Sequence, residues 1–141
     1  MKIRTVLISF AIAISFVILG ACGGAGSSGA EKIIKSTKSG DTTIALSSPS
    51  GEIKSGENDL TLSFTGSSGN PVDVPAASLK FYMPAMGSMA EMNDVATLTT
   101  TGTPGTFKVR VNIEVAGSWE AMISFQGSRG TEQATMSVTA K

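Results

Sequence analysis

From Asp41 to the end of the chain, hydrophobic and polar residues alternate in short runs separated by turn residues, the period-two pattern of half-buried strands. TTIALSS sets Ile44 and Leu46 among small polar residues, and DLTLSFT sets Leu60, Leu62 and Phe64 against threonine and serine. SLKFYM carries Leu79, Phe81 and Met83 on one face, and VATLTT, Val95 to Thr100, is β-branched enough to predict a further strand. The clearest strand is FKVRVNIEV, with Phe107, Val109, Val111 and Ile113 inward and Lys108, Arg110, Asn112 and Glu114 outward. SWEAMISFQ repeats the pattern with Trp119, Ala121, Ile123 and Phe125, and TEQATMSVTA ends it with Ala134, Met136 and Val138. Pro104-Gly105 suits the centre of a type II turn, where proline pre-sets one φ and glycine accepts a positive one. About seven short strands with frequent turn signals predict an all-β domain, an antiparallel immunoglobulin-like β-sandwich, over residues 41–141.

The alternation does not extend upstream. MKIRTVLISFAIAISFVILGAC places Lys2 and Arg4 ahead of an apolar run from Val6 to Leu19, the layout of an export signal over residues 1–21. The run closes in Leu19-Gly20-Ala21-Cys22, small residues before the only cysteine of the chain, and this resembles the lipobox of bacterial lipoprotein precursors. Lipidation at Cys22 implies a membrane anchor in the cell envelope. With glycine rather than aspartate after the cysteine, the resemblance implies an outer-membrane anchor facing the periplasm if the cell is Gram-negative. Residues 22–40, rich in glycine and serine, read as the lipidated cysteine and a tether.

Removing residues 1–21 leaves 120 residues, enough for one core. It also takes Lys2 and Arg4 from an even balance of eleven basic and eleven acidic side chains, leaving a net charge of about −2, so no nucleic-acid partner is implied, since that would need a basic stripe. No histidine is present, the single cysteine is committed to lipid, and no serine stands in a nucleophile pattern, so a catalytic role is not expected.

One stretch departs from the strand period. YMPAMGSMAEM repeats methionine every third residue, at Met83, Met86, Met89 and Met92. A step of three matches neither a strand face nor a clean helical one, and Pro84 and Gly87 argue against a helix. Met83 continues the inward face of Leu79 and Phe81, whereas Met86, Met89 and Met92 are expected in a loop. Thioether sulfur is a soft, neutral donor that selects Cu(I) over hard cations, so Met83, Met86, Met89 and Met92 form the candidate site for Cu(I) or Ag(I). Met122, outward on its strand, is an additional donor candidate, and Glu91 and Asp94 flank the loop. The alternative is a sticky, adaptable surface for a protein partner, a use to which methionine is well suited.

The order of these motifs resembles the YtkA-like and FixH-like domains of bacterial envelopes. Met83, Pro84 and Met86 match their methionine-proline loop, Pro104-Gly105 the turn, Phe107 the aromatic start of a strand, and Gly117 and Trp119 the glycine-x-tryptophan corner. The resemblance covers roughly Thr42 to Ala140. It implies an immunoglobulin-like fold and a link to envelope copper handling or respiratory-oxidase assembly, with a metal-transport or oxidase-assembly protein as partner. Where relatives often carry a histidine, Gly87-Ser88-Met89 stands here, which points away from Cu(II).

Overall fold

The structure is a computed structural model that describes residues 30–141; the export signal and Cys22 lie outside the described residues. Among the described residues nine strands run in chain order: β1 (Lys32–Ser39), β2 (Thr42–Ser48), β3 (Gly56–Thr65), β4 (Ala77–Met83), β5 (Met92–Val95), β6 (Thr97–Thr100), β7 (Thr106–Ile113), β8 (Gly117–Gly127) and β9 (Gly130–Ala140). They form two sheets with antiparallel pairing, one in the order β1-β2-β3-β7-β6 and the other β5-β4-β8-β9. Set beside the immunoglobulin fold, β2-β3-β7-β6 follow the A-B-E-D order and β4-β8-β9 the C-F-G order, with β5 beside the C position. The β-sandwich expected from the alternation is therefore the fold.

The alternation also assigns the facing correctly. In β7 every second residue from Phe107 to Ile113 is buried, and in β8 so are Trp119, Ala121, Ile123 and Phe125. Phe64 of β3 links the two layers: its ring meets Phe107 edge-on at 6.0 Å within its own sheet and Phe125 at 4.9 Å across the interior. Such pairs add to the burial of the rings themselves. Trp119 is 1% exposed, and its one polar atom is satisfied because Nε1–H donates to the Val115 carbonyl oxygen at 3.0 Å. That bond ties the β7–β8 corner to the core, as a tyrosine does at the equivalent corner of immunoglobulin domains. Pro104-Gly105 forms the expected turn. Thr106 N–H donates to Thr103 O, and Gly105 has φ of 68°. A Cβ at Gly105 would stand 2.1 Å from the Val72 carbonyl oxygen, so close backbone approach also demands glycine.

Three local expectations are corrected. The tether, read through residue 40, ends sooner, because Lys32–Ser39 pairs with β2 along its length as an added edge strand. None of its residues is buried, and its lysines fall at positions 32, 35 and 38, so side-chain periodicity carried no sign of a strand held by backbone pairing. Val95–Thr100 is not one strand either. Residues 92–95 pair with β4 and residues 97–100 with β7, so the chain changes sheets at Ala96, whose N–H donates to Leu79 O at 3.0 Å. The count accordingly rises from about seven strands to nine. Met92, third, stands at the start of β5 and not in a loop.

The start of β1 is clasped from the outer face of the larger sheet. The Glu31 carboxylate accepts hydrogen bonds from Ser47 Oγ (2.9 Å), Thr61 Oγ1 (2.8 Å) and Lys108 Nζ (2.9 Å), one donor from each of β2, β3 and β7. Partial burial opposes its ionisation, but the bonds from Lys108, Thr61 and Ser47 outweigh this and hold its carboxyl below the usual carboxylate range.

Two outcomes are expected. Trp119→Ala removes the largest fully buried side chain and should lower unfolding free energy in urea by about 3–5 kcal/mol, against about 0.5 kcal/mol or less for its outward neighbour Glu120→Ala. For Glu31, a folded-state value depressed below the unfolded one gives stability that is present at neutral pH and lost as pH falls through the folded value. Glu31→Gln should therefore cost about 1 kcal/mol or less at pH 7, and the gap between the two urea midpoints should shrink well below about pH 4.3.

Candidate metal hairpin

The three-residue methionine step has a geometric origin. Met86 N–H donates to Met89 O at 3.1 Å and Met89 N–H donates to Met86 O at 2.9 Å, closing a two-residue hairpin loop over Gly87-Ser88. Gly87 has φ of 58°, while among the described residues none other than glycine has a positive φ, which makes the turn type II′ with glycine at its first central position. On the same register, β4 and β5 pair Met83 with Met92, Tyr82 with Asn93 and Phe81 with Asp94. The four methionines are thus two cross-strand pairs, Met86 with Met89 at the turn and Met83 with Met92 below it.

An odd separation along a strand places side chains on opposite faces, so the two pairs do not share one face of the ribbon. Burial follows that rule. Met83 is buried in the core and Met92 packs partly against it, whereas Met86 and Met89 are 55% and 43% exposed. Gly117 makes room for Met83: a Cβ there would stand 3.0 Å from the Met83 methyl carbon. From Pro84 to Ala90 every residue is exposed and none is charged.

Polar groups stand beside this tip. Tyr82 Oη–H donates to Glu91 Oε2 at 3.2 Å, and that bond is the main cause that pushes the phenol above its ordinary value. Asp94 Oδ2 accepts from the Glu114 backbone N–H at 3.3 Å, so this flanking carboxylate joins β5 to the end of β7. Met122 faces outward as expected, opposite Lys80 and Thr135, and lines a shallow depression of ≈ 370 Å³ with Lys80, Tyr82, Glu91, Asn93 and Glu120. It lies on the outer face of β8, not on the hairpin. Among the described residues no three or more histidine, cysteine, aspartate or glutamate side chains cluster to hold a metal ion. The donors the fold gathers in this region are thioethers, and they suit a soft ion.

Sequence reasoning missed the pairing of the methionines, although one signal was present. Glycine followed by serine between two short runs is a recognised two-residue hairpin loop, and counting outward from it matches Met86 with Met89 and Met83 with Met92.

A family model described as YtkA-like matches residues 36–124, which takes in the methionine hairpin, the proline-glycine turn and the tryptophan corner. No curated protein matches the chain, and no solved structure does.

The two methionine pairs are expected to respond differently to truncation. Met83→Ala should cost about 2–5 kcal/mol in chemical denaturation, while Met86→Ala should stay within about 0.5 kcal/mol of wild type.

Proposed function

This chain belongs to the YtkA-like family, and on that premise we propose that it is a lipid-anchored envelope domain that binds Cu(I) or Ag(I) through its methionine hairpin, for copper buffering, delivery or efflux. The observation that carries this reading is the pairing of Met86 with Met89 across Gly87-Ser88, two exposed thioethers on an uncharged tip. Directly opposed residues have Cβ atoms about 4.5–5.5 Å apart, so two flexible thioether arms reach a single ion between them. Met92, in the next methionine pair three register positions below and only partly buried, is the more accessible of the two remaining sulfurs. Met83 is held in the core beside Gly117 and anchors the base of the hairpin to the sandwich. Lipidation at Cys22 would keep the domain at the membrane, at the outer membrane facing the periplasm in a Gram-negative cell, where a metal-transport or oxidase-assembly protein is the partner.

Sulfur ligation suits this setting because a thioether has no proton to lose between neutral and mildly acidic pH, whereas an imidazole does. Metal affinity then becomes insensitive to pH in a compartment whose pH varies. A second reading rests on the same exposed tip. Seven consecutive uncharged residues with two adaptable methionines also fit a surface that docks on an envelope partner without metal.

Cu(I) competition against a chelator separates the two, using the chain from Gly23 onward so that β1 is retained. Wild type should compete equally at pH 7 and at about pH 5.5, below the usual histidine range. Replacing Met86, Met89 and Met92 together by leucine keeps apolar volume and removes sulfur, and should weaken competition at least about tenfold, or about 1.4 kcal/mol. Equal competition by both proteins, or none by either, would leave the docking surface as the better reading.

A further inference from the structure

The described methionines divide into classes that differ in access to solvent. Met83 and Met136 are 3% and 4% exposed, Met92 is partly buried, and Met86, Met89 and Met122 stand in solvent. Oxidation of a thioether requires an oxidant to reach a sulfur lone pair, so susceptibility follows exposure. The same lone pairs bind a soft cation. In this fold the exposed hairpin sulfurs belong to residues whose loss costs the core nothing, because the Met86–Met89 pair is held by its own two backbone hydrogen bonds outside the packed interior.

We propose that Met86 and Met89 form a redox-sensitive pair. A two-electron oxygen donor such as hydrogen peroxide converts them to sulfoxides while the sandwich stays folded, and the conversion turns off soft-metal binding at the hairpin. In the step, a sulfur lone pair attacks one peroxide oxygen, the S–O bond forms and the O–O bond breaks. The departing hydroxide takes the proton from the sulfur-bound hydroxyl and leaves as water, so sulfur loses two electrons and the peroxide gains them. The product presents a polar oxygen where a soft sulfur donor stood, and oxygen is a poor match for Cu(I) or Ag(I). Conversely, a bound ion occupies the lone pairs and shields them. Oxidant and metal thus exclude one another at the same two atoms, and a methionine sulfoxide reductase reverses the state. The oxidation itself stands on the fold alone; its effect on metal rests on the reading proposed above.

Met122 supplies an internal reference, since it is 40% exposed but lies on the outer face of β8 opposite Lys80 and Thr135. The experiment is limited oxidation of the chain from Gly23 onward by hydrogen peroxide, with and without redox-inert Ag(I), followed by peptide mass spectrometry. Met86, Met89 and Met122 should each gain oxygen at least about tenfold faster than Met83 and Met136. Ag(I) should slow oxidation at Met86 and Met89 by at least about tenfold and leave Met122 unchanged, because only coordinated lone pairs are blocked. Protein oxidised at the hairpin should keep its melting temperature and lose Ag(I) binding, and the reductase should restore it. Oxidation of Met83 at the rate of Met86, or unfolding when only the hairpin is oxidised, overturns the redox-sensitive pair. Selective oxidation with no protection by Ag(I) sinks the metal reading and the switch with it, while leaving the selective chemistry established. Full Ag(I) affinity after oxidation of both residues overturns the switch alone.

Discussion

Two sheets held together without a covalent tie depend on the apolar faces they bury between them. The only cysteine of this chain is Cys22, upstream of the domain, so no disulfide can join the layers. Phe64 bridges them instead, meeting Phe125 of the opposite sheet, while Trp119 fills the interior beside the β7–β8 corner and returns its indole N–H to Val115. Each strand can contribute only alternate residues to this interior, and that constraint fixes which side of every strand remains for other uses.

The methionine hairpin is where the constraint produces chemistry. β4 and β5 carry the interior pattern as far as Met83 and Met92, and beyond them the chain leaves the packed layers. Pro84 has no N–H to offer a ladder, the tip turns on Gly87, and the next facing pair, Met86 with Met89, projects into solvent. One sequence motif therefore serves two environments. Its lower pair extends the core, and its upper pair presents soft donors on an uncharged surface. The opposition at the turn costs little, because a type II′ loop matches the twist of the strands it joins.

Both proposals draw on this division. A soft ion and an oxygen-donating oxidant seek the same lone pairs, and the fold exposes them only where a change of polarity leaves the packing intact. Met83 could not serve as freely, because it is buried in the core with its methyl group beside Gly117. The neighbouring polar groups do not compete for the role: Tyr82 and Glu91 are engaged with each other, and Asp94 is engaged with the backbone of Glu114.

The sequence by itself determined the class of fold, the facing of the strands and the turn at Pro104-Gly105, because burial of alternate residues and the φ preferences of proline and glycine act locally. It also determined that thioethers are the soft donors of the domain, since residue type alone decides that. Tertiary structure decided what depends on pairing. β1 is a strand because β2 accepts its backbone, not because its side chains are buried, and KIIKSTKS carries no period to announce it. Val95 to Thr100 reads as one β-branched run, but the chain changes sheets at Ala96, because residues 92–95 pair with β4 and residues 97–100 with β7 in the other sheet. For the same reason the four methionines, evenly spaced along the chain, became two facing pairs in different environments: spacing is a property of the chain, whereas opposition across a turn is a property of register.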